Sequence, residues 1–274
     1  MNVKIAHESP ISIFDTVRDQ TDYDYALVHL LEENEEYRRK FFDAKQSGRT
    51  IYLDTSIFEL GEAFDEAKFA EWVNAVKPDY YFVPDALEDM EKTISNMESW
   101  NSKYSFLEGG KIGVVQGKNF EEIVQCYDYM NEQAEVDMIA ISFDYSFFEK
   151  EVPHPNKYVS WALGRVKLLG ELCSQGIINE NKKHHLLGCA LPLEFRFYRE
   201  ANYNWIYSLD TSNPVVHAIK GIRYEENLGL MNKESQKLFE MINTPAEAIN
   251  KDLLFENLYT FRRIVNGKGM DNLF

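Results

Sequence analysis

Short apolar runs recur along the chain. Each ends in a polar or charged residue and is followed by a stretch with helical spacing. Lys4–Glu8, Tyr25–Leu31, Ile51–Asp54, Tyr80–Val83, Lys111–Val115, Met138–Ser142, His185–Cys189 and Asn204–Leu209 read as strands. Between them, Glu33–Gln46, Phe64–Val76, Leu87–Trp100, Phe120–Met130, Tyr158–Cys173, Leu193–Arg199 and Ser212–Ile219 read as helices, with apolar positions three and four residues apart. The punctuation agrees: Pro10, Gly48, Pro78, Pro84 and Gly109-Gly110 interrupt the runs, Asn119 is placed to cap a helix, and Pro214 fits a first turn. Phe143–Asn156 reads as irregular.

Strands alternating with helices predict an α/β protein, a closed (β/α)8 TIM barrel. Residues 233 to 265 add two more helices, separated near Thr244-Pro245. The chain reads as a single catalytic domain over 1–274, with a C-terminal helical extension over about 224–274. The rival is an open doubly wound sheet. No glycine-rich loop follows the early strands, which counts against a dinucleotide-binding version of it.

In a barrel, chemistry gathers where strands feed the following loops. Asp54, Asp85, Gln116, Ser142, Asp144 and Asp210 stand at such positions. Strand-end acids can bind a metal, cleave a sugar bond or hold a polar ring, and Asp210 can equally cap the next helix. A metal asks for a fuller ligand set. His184 and His185 are adjacent, so on a strand they face opposite sides and cannot easily share one site. Two carboxylates across a pocket suit chemistry at an anomeric carbon. A carboxylate beside an amide suits a flat heterocycle, which Phe58 or Phe143 could stack upon; each aromatic is equally placed for core packing.

Composition narrows the partners. The net charge of -16 argues against broad attraction to nucleic acid. From Glu149 to Arg223, however, ten Lys/Arg face seven Asp/Glu, which leaves the rest of the 274 residues with 19 basic and 38 acidic side chains. A locally basic face on an acidic body and an ordinary uneven surface both fit this asymmetry; DNA binding would require the basic stretch to line a groove with Lys182, Lys183, Arg196, Arg199, Lys220 and Arg223, which otherwise read as solvated surface charges. Cys126, Cys173 and Cys189 form neither a disulfide framework nor a metal knuckle, and no stretch has the length and hydropathy of a membrane span. With no long apolar region at its start, the chain reads as cytoplasmic.

Leu53-Asp54-Thr55-Ser56-Ile57-Phe58-Glu59, Val83-Pro84-Asp85, Gly113-Val114-Val115-Gln116-Gly117, His185-Leu186-Leu187-Gly188 and Ser208-Leu209-Asp210-Thr211-Ser212, in this order over residues 50 to 220, resemble the tRNA-guanine transglycosylases. The likeness is to the phage and bacterial branch that places 7-deazaguanine bases into DNA. It implies a barrel that exchanges guanine for a 7-deazaguanine co-substrate, with Asp210 as nucleophile on the anomeric carbon and Asp54 aiding proton transfer. Asp85 and Gln116 would recognise the base, Gly117 would give close backbone approach, and Phe58, Ser142 and Phe143 would complete the pocket.

No other cofactor is implied. The zinc site of the tRNA enzymes has no counterpart, since no cysteine follows Cys189; this favours DNA over tRNA as partner. The family's Gly-Gly after the sixth strand is replaced by Ser142-Phe143-Asp144. Phe143, Tyr145, Phe147 and Phe148 are candidates to support a flipped nucleotide, with core packing as the equal alternative. The other readings are a barrel hydrolase of a small nucleoside or glycoside, a tRNA-directed exchanger, and a non-catalytic partner subunit.

Overall fold

The computed structural model describes residues 1–189, 191–230 and 241–267. In chain order the elements are β1 (Lys4–His7), α1 (Phe14–Arg18), β2 (Asp24–Leu27), α2 (Val28–Glu33), α3 (Glu35–Gln46), β3 (Ile51–Asp54), α4 (Ile57–Leu60), α5 (Glu66–Val76), β4 (Tyr80–Phe82), α6 (Met90–Lys103) and β5 (Gly110–Val115). They continue with α7 (Phe120–Glu132), β6 (Val136–Ser142), α8 (Phe147–Glu151), α9 (Lys157–Ser174), β7 (Lys183–Leu187), α10 (Glu194–Glu200), β8 (Ile206–Thr211), α11 (Asn213–Ile219), α12 (Tyr224–Asn227) and α13 (Lys251–Asn266). The strands form one eight-stranded sheet in the order β1-β8-β7-β6-β5-β4-β3-β2. This is a nearly closed (β/α)8 barrel with surrounding helices and additional C-terminal helices.

The helices start where side chains can satisfy the open N–H groups of the first turn. Asn34, Asp65, Asp89, Asn119, Asn156 and Asn250 each accept a backbone N–H from α3, α5, α6, α7, α9 and α13 respectively.

The chain divides into two compact units. One comprises residues 22–141 and 181–185. Within it β2, β3, β4, β5 and β6 pair in parallel, with Leu27 beside Asp54 and Tyr52 beside Tyr80. Alternation sends Tyr81 and His184 to the helical layer, where Tyr81 meets Trp100 and the His184 ring nitrogen lies 2.8 Å from the Tyr127 hydroxyl. His185 turns the other way, against Tyr25, Tyr52 and Phe82. The adjacent histidines thus face opposite sides, as the strand reading requires.

The other unit comprises residues 1–21, 142–180 and 186 onward. Here β1 lies parallel to β8, with Ala6 beside Asp210. Ile13, Val17, Val215, Ala218, Ile249, Leu254 and Leu258 form one apolar cluster that seats α13 against α11. Buried Asn257 fixes α13 by accepting the Tyr224 N–H and donating to the Ile222 carbonyl. Asn266, at its end, accepts the Val3 N–H at 2.9 Å and donates back to the Val3 carbonyl.

Three boundaries differ from the sequence reading. The strand expected over Tyr25–Leu31 stops at Leu27, and α2 begins at Val28. Val28 to Leu31 are all buried, so no exposed face displays the helical period. The seventh strand ends at Leu187 rather than Cys189, because Gly188 adopts φ +63°, outside the strand region. The stretch after Ser142, expected to be irregular, contains α8. Of the two helices expected over 233 to 265, the second is α13; the first falls mainly outside the described residues.

Burial makes several histidines poor bases. His7, with Arg262 nearby, is pushed down to about 3, and His29 and His184 to about 4, while His217 is lowered as well. Below pH 6.5 the unfolded chain therefore takes up protons that the folded chain refuses, and stability falls with pH. At pH 5, His7 and His184 together cost about 4 kcal/mol, from about 1.4 kcal/mol per pH unit each. Asp85, raised to about 6, works the other way: the folded chain protonates it first, offsetting about 1 kcal/mol at pH 5. The melting temperature is expected to drop steeply between pH 6.5 and 5, and His7→Met to shallow that drop. Calorimetry across this range checks both.

Candidate active site

In the unit of residues 22–141 and 181–185, three of the predicted residues are buried at strand ends. Asp54 closes β3, at 9% exposure. Its Oδ2 accepts the Tyr25 hydroxyl at 2.8 Å and its Oδ1 accepts the Ser56 N–H at 2.6 Å. Ser56 holds a left-handed conformation, φ +61°, uncommon for a residue with a Cβ, and this turn presents its N–H to the carboxylate. A carboxylate with both oxygens so engaged has its lost water contacts replaced and a fixed plane.

Asp85 and Gln116 are brought into direct contact. Gln116 Nε2 donates to Asp85 Oδ2 at 2.7 Å, and Gln116 Oε1 accepts the Glu88 N–H at 2.9 Å. The backbone bond settles which end of the amide is the donor. Burial raises Asp85 to about 6, the Gln116 bond pulling against it. The carboxyl therefore titrates near neutrality, able to accept an N–H when ionised and to donate when protonated.

A small pocket, with room for little more than one water molecule, lies beside Asp85 and is lined by Thr55, Ile57, Ala63, Phe64, Phe69 and Pro84. Phe58 is half-buried on α4, outside that lining. The missing Cβ of Gly117 makes room for the first turn of α7, since a methyl there would stand 2.8 Å from the Ile123 nitrogen. The glycine has a packing reason beside the approach the resemblance implies.

In the other unit Asp210 sits within β8 at 6% exposure, its Oδ1 accepting the Gly188 N–H at 3.0 Å. Ser212 holds the N-cap position of α11, and the N–H of Asn213 goes to Thr211 Oγ1. Ser142 donates its hydroxyl to Asp144. Phe143 packs its ring on Gly188, where an added Cβ would come within 2.4 Å of Phe143, and edge-on to Trp161.

Sequence reasoning missed Tyr25, Arg165 and Glu194. Tyr25 read as one more apolar strand residue. Arg165 and Glu194 are both fully buried and ion-paired. The Arg165 signal was present: it falls on the apolar stripe of Tyr158, Trp161, Ala162, Leu168 and Leu172, where an unpaired charge would be untenable.

One expectation resolves to its alternative. Tyr145 stacks on Phe147, Phe148 meets both rings edge-on, and all three are buried, with Phe148 pressed against Gly164, so they pack the core. The basic side chains named as groove candidates make local contacts. Lys182 donates to the carbonyls of Met130, Asn131 and Gln133 at the end of α7, and Lys183 to the Tyr80 hydroxyl. Arg199 bonds the Ile264 and Val265 carbonyls, and Arg196 and Arg223 pair with Glu200 and Glu256.

Among the described residues no group of three or more His, Cys, Asp or Glu gathers to hold a metal. No described helix is long and apolar enough to cross a membrane.

The buried Asp85 carboxyl lends itself to a test. Holding its folded value near 6 instead of 3.8 costs about 3 kcal/mol above pH 6, a cost lost as pH falls toward 4. Asp85→Asn is expected to gain on the order of 1–3 kcal/mol at pH 8 and little at pH 4.5. Urea denaturation of both proteins at the two pH values measures the difference.

No family profile matches the sequence, and no curated protein matches it. Solved structures that resemble the chain include macrophomate synthase, at 11% identity over 80% of this chain and 82% of that one, with a TM-score of 0.45. Others are the citrate synthase SbnG, at 11% identity over 79% and 89% with 0.44, and N-acetylneuraminate lyase from Mycoplasma synoviae, at 10% over 99% and 83% with 0.44. Likeness at this level bears on neither activity nor substrate.

Proposed function

We propose that this chain is a transglycosylase that exchanges guanine in DNA for a 7-deazaguanine base through a covalent intermediate on Asp210. The observation that carries the reading is the Asp85–Gln116 pair, a buried carboxyl and a buried, oriented carboxamide 2.7 Å apart. Guanine and 7-deazaguanine share an edge on which N1–H and the exocyclic amine donate beside an accepting O6. A carboxylate accepts from the first two, and an amide N–H donates to the third. Buried in a site that excludes water, such bonds discriminate strongly between ring edges.

On this reading Asp210 attacks C1′ of the target deoxyribose through its carboxylate oxygen, and the bond to guanine N9 breaks. The leaving purine takes a proton delivered by way of Asp54. The incoming base, deprotonated at its N9 equivalent with the help of Asp54, then attacks C1′ and displaces Asp210. Two displacements retain configuration at the sugar and call for no high-energy cofactor. Asp54, with both oxygens bound by donors, is suited to exchange a proton without leaving its place. The target nucleotide would be turned out of the stack to reach a barrel mouth. The chain would act in the cytoplasm, on DNA in preference to tRNA.

The net charge of -16 and the engaged cations favour a second reading, hydrolysis of a small nucleoside or glycoside, in which water resolves the same intermediate. One experiment separates them. Purified protein is incubated with guanine-containing DNA and candidate 7-deazaguanines, and the digested nucleosides are weighed by mass spectrometry. Incorporation of the deazapurine is expected, with loss of about 10⁴-fold or more in Asp210→Asn and about 10²–10⁴-fold in Asp54→Asn. An Asp210→Asn protein that still forms a normal covalent adduct overturns the assignment. Release of free base from small nucleosides, with none exchanged in DNA, transfers it to the hydrolase.

A further inference from the structure

We propose that Arg165 is a positioning residue for Asp210: paired with Glu194, it grips the end of β7 and aims the Gly188 N–H at the Asp210 carboxylate. The inference rests on Asp210 as the attacking carboxylate. Arg165 lies in the middle of α9 with no exposed surface. Its Nε and Nη2 donate to the two oxygens of Glu194 at 3.0 and 2.5 Å, while Nη1 and Nη2 donate to the carbonyls of Leu187 and Gly188 at 3.1 and 3.0 Å. Glu194 also accepts the Tyr198 hydroxyl at 2.9 Å. The guanidinium thus joins a carboxylate on α10 to two successive carbonyls, a reach that needs its planar fork.

What is gripped explains the device. The strand ends at Leu187, and Gly188 turns into the left-handed region without the ladder to hold it. Phe143 closes over its Cα side, so no other residue fits there. With Arg165 on the peptide carbonyls and Phe143 on the Cα, the Gly188 N–H has one direction, toward Asp210 Oδ1 at 3.0 Å. Holding one oxygen restrains the rotation of the carboxylate, and with it the line along which the group meets the sugar carbon. Stability alone does not account for the pair: well-packed apolar residues in place of a buried ion pair are often neutral or better, whereas removing one partner leaves a buried charge.

The test therefore removes both charges together. Arg165→Met with Glu194→Gln keeps the bulk and leaves an acceptor for Tyr198. The double variant is expected to fold, with a melting temperature close to wild type. Its kcat for base exchange is expected to fall on the order of 100-fold with little change in KM for the incoming base. The Gly188 amide proton, expected downfield in wild type relative to Asp210→Asn, should lose that displacement in the double variant. Arg165→Lys, which keeps the charge without the fork, should fall between. A folded double variant with wild-type kcat and an unmoved Gly188 amide resonance overturns the proposal. The resonance needs no turnover: if wild type exchanges no base yet the amide moves as described, the positioning stands and the transglycosylase reading falls.

Discussion

A carboxylate taken out of water must be given donors to replace the water it loses, and this requirement shapes the strand ends of the barrel. Asp54, Asp85 and Asp210 meet it in different ways. Asp54 draws on a phenol from the neighbouring strand and an amide from a strained turn. Asp85 draws on the Gln116 carboxamide and a backbone N–H, which offset only part of the burial that raises it to about 6. Asp210 draws on a glycine amide that is itself restrained. Strand lengths, the left-handed Ser56 and Gly188 and the buried Arg–Glu pair can all be understood as means of delivering donors to these positions.

On the proposed reading, the different solutions suit different tasks. A carboxyl balanced between its two forms can read a ring edge by accepting or donating. One with both oxygens bound is well defined in position and suited to passing a proton. One tethered to the backbone of the neighbouring strand's end keeps a reactive orientation. Three chemically identical side chains are thereby distinguished by their surroundings, the general way in which one fold runs several steps.

Much of the architecture was legible in the sequence, because strand-ending acids and capped helices leave local marks: Asn119 caps α7 where the sequence predicts, and Asp54 ends β3. The boundary at Val28 was not legible, since Val28 to Leu31 are all buried and show no exposed face. Among the site residues, Asp85 and Gln116 were recognisable as strand-end polar groups. Tyr25 was not, for a buried tyrosine in a strand has the same signature whether or not its hydroxyl meets an acid. The contacts of the basic residues between 182 and 223 were hidden for a related reason: a count of charges does not reveal that Lys182 and Arg199 are engaged by backbone carbonyls. Arg165 shows the converse, a charge whose place on an apolar stripe signals a partner far away in sequence.

The paired hydrogen bonds between Val3 and Asn266 set the first strand beside the last turn of α13. The groups they join stand 263 residues apart in sequence. Closing so long a loop costs entropy before the contact repays it, so β1 can be clamped to α13 only late in folding, once the chain between them is in place.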